Sequence, residues 1–312
     1  MANEIFIPFL NGTRFYEVDP AEQGQYLTKH FDNYWTKEQL RNLETPVYYK
    51  QKWQTNDSFP LQYESNFASI NLKVIDCEQN VLIDQNAVQV KINKYLPGYF
   101  VYENTVSWAS IPVGTYYLLL TLGGTTQMIS EPIELATEWP NTTLFEYSNS
   151  TFHGDILFET GIVLKFRCEA FVTRLDPGNE RTAYRDQKMN PTVLKSVPYR
   201  GWKLVFGYPT GIPDWVIDLM NWVWSCDNVL VDGKSFAVAE NGQFEETEYD
   251  KAYPFRSWTL NIQEGVNRYS KIVNPEVDPN KKLIVIGMID STLFGDTSEN
   301  AGSNLVPVEN VN

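Results

Sequence analysis

Between Tyr48 and Ala136 the chain is cut into short apolar runs by turn residues, and this rhythm constrains its fold more than any other feature. Tyr48, Lys50, Lys52 and Gln54 alternate with Tyr49, Gln51 and Trp53. Asn71–Asp76 then contributes Leu72, Val74 and Ile75, and Val81–Ile83, Val88–Ile92, Tyr99–Val106 and Thr115–Leu122 follow. Side chains in a strand point alternately to opposite faces, so short alternating runs at such spacing predict strands of a two-sheet packing. The segment 48–137 is therefore expected to be an immunoglobulin-like β-sandwich. Its stretch Ile111–Leu120 places a proline–glycine turn ahead of a buried strand, and Gly123-Gly124 then opens a hairpin.

Trp139-Pro140 interrupts this pattern, so Glu138–Asn141 reads as a linker. Residues 142–273 form a second β-rich unit. Ile162–Val172 alternates as one long strand, Trp202–Phe206 and Ser257–Gln263 are two more, and Asp232-Gly233 marks a tight hairpin within Asn228–Val238. Five of the nine tryptophans lie in Gly201–Trp258, around a helical stretch at 213–225. Trp215, Leu219, Trp222 and Val223 fall on one side of it, and Val216, Met220 and Trp224 cover another. Asp218, Asn221 and Ser225 leave only a narrow polar stripe. A helix apolar nearly all round has to be covered from more than one direction. Trp215, Met220, Trp222 and Trp224 are therefore candidate contacts with further copies of the chain.

Both ends read as arms. In 1–47, Ile5–Phe9 and Arg14–Val18 flank Asn11-Gly12, a hairpin signal. Asp19-Pro20 with Glu22 has the pattern of a helix start, Leu27, Phe31 and Tyr34/Trp35 continue at helical spacing, and Thr36 with Gln39 repeats a capping box before Pro46. In 274–312, Lys282–Met288 is one more strand. The Gly-, Ser-, Asn- and Glu-rich tail from Gly295 to Asn312 lacks the apolar residues needed to order itself.

With 43% apolar and 14% aromatic residues, the chain can bury a proper core. Its net charge of −14 works against broad contact with nucleic acid or anionic membranes. The N-terminus has no basic segment ahead of an apolar run, and no run is long enough to span a bilayer. Synthesis and retention in a cytoplasm are expected. Against this acidic background, Lys165–Lys203 stands out. It holds nine basic residues, including Arg174, Arg181 and Arg185, and four acidic ones. Downstream, Glu240, Glu245, Glu246, Glu248 and Asp250 form an acidic run. A solvated face accounts for either run alone, whereas surfaces of opposite sign that meet between identical subunits account for both.

Catalytic chemistry finds little support. Cys77, Cys168 and Cys226 are widely spaced with no CxxC pair, and only His30 and His153 are present to activate a thiol. Phosphate loops, G-x-S-x-G and H-E-x-x-H are missing from the sequence. Asp214 and Asp218 lie one helical turn apart beside tryptophans, as a glycan hydrolase would need, but Asp214 also fits as the helix N-cap after Pro213. No metal, cofactor or catalytic residue is expected.

Several runs resemble structural proteins of tailed bacteriophages and prophages of Bacteroidota, including crAss-like phages. In the second unit these are Tyr147–Ser150, Asp155–Ile162, Lys165–Glu169, Thr182–Gln187, Val197–Arg200, Pro213–Val216, Ser225–Lys234 and Tyr253–Trp258. In the first they are Trp53–Asp57, Leu61–Asn66 and Leu72–Cys77. The resemblance covers most of residues 48–270 and implies a place in a virion tail, collar or baseplate, with no catalytic motif to carry over.

Together these readings predict a mainly β protein: two β-sandwich-like domains, the first immunoglobulin-like, one short Trp-rich helix and extended terminal arms. The expected function is that of a virion ring subunit, assembled in the host cytoplasm, whose partners are copies of itself and neighbouring virion proteins. Neither a membrane nor nucleic acid is an expected partner. Trp215, Met220, Trp222, Trp224, Arg174, Arg181, Arg185, Glu245, Glu246 and Glu248 are the candidate interface residues. A carbohydrate-binding module, which would need coplanar tryptophans on an open sheet, is the main alternative. A glycan hydrolase is another, and a head-fibre or capsid-decoration role stays within the favoured class.

Overall fold

A computed structural model describes residues 5–18, 49–93, 97–123, 125–185, 187, 189, 191–209, 211–239, 242–247 and 255–264. The helices read over 19–39, the strand 282–288 and the tail from 295 lie outside the described residues. So do His30, Glu248 and the side chains of Arg174 and Arg181.

The chain is mainly β. Two short strands, β1 (Ile5–Phe6) and β2 (Phe15–Glu17), flank a 3-10 turn at Phe9–Asn11. Next come β3 (Gln51–Gln54), β4 (Ser58–Ser65), β5 (Ile70–Asp76), β6 (Val81–Asn86), β7 (Val88–Ile92) and β8 (Phe100–Ser107). The first sandwich ends with β9 (Gly114–Leu122), β10 (Thr125–Ser130) and β11 (Ile133–Ala136). One sheet has the order β1-β4-β8-β7. In the other, β9 is central: β5 and then β6 lie on one side, and β10 and β11 share the other, joined by β2 and β3 respectively. β3 runs parallel to β11 while its neighbours are antiparallel, which together with this strand order is an immunoglobulin-like arrangement. Trp53, Phe59, Leu61, Leu72, Leu118 and Leu120 fill the space between the sheets, fully buried.

The turn before β9 explains the proline–glycine motif. Tyr116 Oη donates a 2.6 Å hydrogen bond to the Pro112 carbonyl, the tyrosine corner that fixes where the chain crosses between sheets in such sandwiches.

The second half contains β12 (Thr143–Ser148), a small hairpin of β13 (Phe152–His153) and β14 (Ile156–Leu157), then β15 (Leu164–Cys168), β16 (Ala170–Arg185) and β17 (Pro191–Phe206). Helix α1 (Asp214–Val223) leads to β18 (Asn228–Val231), β19 (Lys234–Val238), β20 (Glu245–Thr247) and β21 (Ser257–Glu264). Their sheet has the order β15-β12-β18-β19-β21-β17-β16. Its two end strands are consecutive in the chain, separated only by Glu169, so the sheet returns on itself around its own core. The β18–β19 turn is the one the sequence predicts: Asp232 and Gly233 both have positive φ, 47° and 74°, as a two-residue hairpin with the native strand twist requires.

Two expectations need correcting. Asn11-Gly12 does not close a hairpin, because β1 pairs with β4 while β2 pairs with β10. Asn11 makes tertiary bonds to β4 instead, and Gly12, at φ 74°, fits where an added Cβ would lie 2.8 Å from the Phe166 ring. In α1 the N-cap is Pro213, in extended conformation, and Asp214 is the first helical residue.

All the described residues belong to one compact unit. Its halves are joined by buried polar contacts. Arg167 on β15 grips Asp57 at two points, 2.7 and 3.0 Å, with both side chains almost entirely buried. Glu169 takes an ion pair from Lys52 at 2.7 Å and a hydrogen bond from the Tyr49 hydroxyl. In the linker, the Trp139 indole N–H donates to the Trp53 carbonyl, and the Lys52 ammonium lies over its ring.

Candidate interaction site

The Trp-rich helix belongs to its own chain's core. Val216, Leu219, Met220 and Val223 are fully buried against Phe145, Phe166, Phe206 and Leu10. Trp215 and Trp224 are partly buried against the same core, their rings edge-on to Tyr49 and Phe145 respectively. The Arg14 guanidinium also covers the Trp215 ring, 5.1 Å from its centroid. Met220, Trp215 and Trp224 are thus covered by the sheet that curls around them and by the N-terminal segment. The covering expected from neighbouring copies comes from within the chain. Trp222, 44% exposed, is the one tryptophan among those described that faces outward. Beside it lies His153, whose Nε2 is 2.9 Å from Ser225 Oγ.

The basic stretch becomes a hairpin. β16 and β17 pair with each other from Ala170↔Phe206 to Arg185↔Pro191, but β21 flanks β17 only over Gly201–Phe206. Beyond Gly201 the ribbon is paired only with itself among the described residues. At about 3.3 Å per residue, the ten residues from Asp176 to Arg185 reach roughly 30 Å. A lone two-stranded ribbon is marginal in water, because neither face is covered and both edges leave backbone groups unpaired. Near its end Tyr184 and Met189 are 58% and 64% exposed, and Arg185 is exposed beside them. Tyrosine, methionine and arginine are the residue types enriched where proteins meet.

Of the acidic partners expected, Glu245 and Glu246 lie on β20, at the flank of β21. Both residues are exposed, and Glu246 holds Arg256 of its own chain at 2.7 Å. The structure does not bring Arg185 to them.

A further surface lies at the edge of the first sandwich. β6 and β7, joined through Ala87, are the end strands of the two facing sheets. Between them they expose Val81, Leu82, Val88, Val90 and Ile92. Short apolar runs bounded by turn residues mark both segments as strands but do not reveal that each lies at a sheet edge.

Catalytic candidates are dispersed. Asp214 and Asp218 are exposed on the outer face of α1, and Asp214 approaches Arg256 only at 3.9 Å. A shallow cleft of about 250 Å³ on the first sandwich is lined by Asn71, Lys73, Asp84, Asn86 and Thr121, with Asp84 its one carboxylate. Burial pushes the Cys168 thiol far above its ordinary value and lifts Cys226 to about 12, so both stay protonated near neutral pH. Among the described residues no group of three histidines, cysteines or carboxylates is placed to hold a metal, and no helix is long and apolar enough to cross a membrane.

Neither a scan against protein-family models nor a search of curated proteins returns a match.

Proposed function

We propose that this chain is a non-enzymatic structural subunit of a tailed-bacteriophage virion that assembles with copies of itself into a ring of the tail, collar or baseplate. The observation that carries the reading is the β16–β17 ribbon. A two-stranded hairpin of some 30 Å that pairs only with itself among the described residues, with Tyr184, Arg185 and Met189 exposed near its end, gains stability once another surface covers it. Its charge points to a copy of the chain as that surface. Ala170–Phe206 holds seven basic and three acidic residues within a chain of net −14. Attraction between a positive arm and an otherwise negative body favours head-to-tail contact, and head-to-tail contacts close into rings when the rotation allows. The resemblance of most of residues 48–270 to phage structural proteins supplies the virion context.

The test is native mass spectrometry and electron microscopy of the full chain over a range of concentrations. A closed assembly of fixed copy number is the expected result. Replacing Pro177–Arg200 by an Asn-Gly turn should leave a folded monomer that no longer assembles. A wild-type chain that stays monomeric at high concentration would end this reading.

A further inference from the structure

We infer that the β6–β7 edge of one copy is the seat for the β16–β17 hairpin of the next, with β7 adding a hairpin strand to its sheet. The inference rests on the ring reading above and names the contact within it.

Three observations select this edge. β7 ends the β1-β4-β8-β7 sheet, so its outer backbone groups have no strand partner among the described residues. Exposed edges of folded proteins are usually guarded by charge or proline, yet Val88–Ile92 contains one charged residue, Lys91. That lysine is held by Glu159 at 2.7 Å, within its own chain. Around it the surface is greasy: Val88 and Ile92 are each 63% exposed and Val81 51%.

Charge selects the occupant. Asp76, Glu78 and Asp84 lie on β5, β6 and the turn between them, and with Glu159 they outnumber Lys73 and Lys91, which pair with Asp84 and Glu159, so the edge is net negative. Two such edges meeting across a two-fold axis would bring like charges together, whereas the hairpin brings a surplus of four positive charges. The hairpin also supplies what such an edge can bind: backbone with no further strand partner among the described residues, and exposed Tyr184 and Met189. The contact is head-to-tail, because donor and acceptor are different parts of the chain.

The decisive experiment mixes two full-length variants. Tyr184→Glu with Arg185→Glu disables the hairpin and keeps the edge, while Val88→Lys with Ile92→Lys disables the edge and keeps the hairpin. All four positions are exposed, and circular dichroism establishes that each variant is folded. Each alone should associate at least about tenfold more weakly than wild type, as loss of an interface anchor does. Mixed, they should form a one-to-one heterodimer and nothing larger, since only one hairpin and one edge remain. If the edge variant still assembles like wild type, the hairpin sits elsewhere: the inference falls and the ring reading stands. If the hairpin variant pairs with itself, the edges meet each other, and the inference falls as well. A wild-type monomer removes both. Hydrogen exchange on the unmodified protein gives an independent check. Amides of Val88–Ile92 should become protected on assembly, and unchanged exchange there overturns the inference even if a variant misfolds.

Discussion

The side-chain amide of Asn11 takes the place of a neighbouring strand beside Gln62. Its Nδ2 donates to the Gln62 carbonyl at 2.6 Å and its Oδ1 accepts from the Gln62 N–H at 2.8 Å. The Gln62 side chain meanwhile does the same for Leu157, donating to its carbonyl and accepting its N–H. One buried residue of β4 thus joins the N-terminal segment, the first sandwich and the hairpin of β13 and β14. Asn11→Ala leaves both backbone groups of Gln62 without these partners. An unsatisfied buried polar group costs about 1–3 kcal/mol, so a destabilisation at or above that range is expected by denaturant unfolding. Asn11→Asp should fare little better, since it keeps an acceptor but faces the Gln62 carbonyl with another oxygen.

Arg167 and Asp57 make a second bond across the same junction, here between charges. Removing one partner strands the other where water cannot reach. Arg167→Met or Asp57→Ala alone should each cost about 3–5 kcal/mol. The double variant should cost clearly less than the two losses added together, because no orphaned charge remains. Chemical denaturation of the four proteins measures that coupling. Simple additivity would mean that the pair contributes nothing as a pair.

Much of the fold is legible because strands of a half-buried sheet carry their burial in their alternation. Gln51–Gln54, whose side chains alternate between buried and half-buried, is plain in the sequence for that reason, and the Asp232-Gly233 turn is plain from its residue pair. β4 is not. Its Pro60 argues against a strand, and Gln62, Glu64 and Ser65 argue against burial, yet it lies inside. Pro60 is tolerated because β1 pairs only with Glu64 and Ser65, so among the described residues the strand at Pro60 has a neighbour on one side only. Gln62 can be buried because its amide is fully used by groups distant in sequence, which no local pattern displays. The same holds for the candidate site. The charge surplus of Lys165–Lys203 is visible, but its shape as a self-paired ribbon depends on where β21 stops flanking β17. Helical periodicity marks α1 as apolar on nearly every side. It does not tell whether the cover comes from the same chain or from a neighbour.

Within α1, inner and outer positions should respond unequally to truncation. Met220 is fully buried, so Met220→Ala opens a cavity and should cost about 2–5 kcal/mol. Trp222 is 44% exposed, and Trp222→Ala should leave a folded protein with a distinctly smaller loss. Thermal unfolding of both variants separates the inner face from the outer. Light scattering on Trp222→Ala then asks whether the one outward tryptophan also serves assembly.

The three cysteines should divide by environment. Cys77 is exposed, whereas Cys168 and Cys226 are buried. Burial is the main cause that raises the Cys226 thiol to about 12, with the nearby Asp227 charge adding to it. At pH 8 its thiolate fraction is then on the order of one in ten thousand. An aromatic disulfide reagent should therefore label one thiol quickly in the native protein and three after unfolding. Stability follows the same shift. The unfolded chain releases this proton near pH 8.5 and the folded one only near 12, so the folded state binds more protons between those values. Stability is complete below the unfolded value and falls as pH rises through that window. Cys226→Ala should flatten part of the alkaline decline in denaturant midpoints. Rapid native labelling of all three thiols would contradict the placement of Cys168 and Cys226.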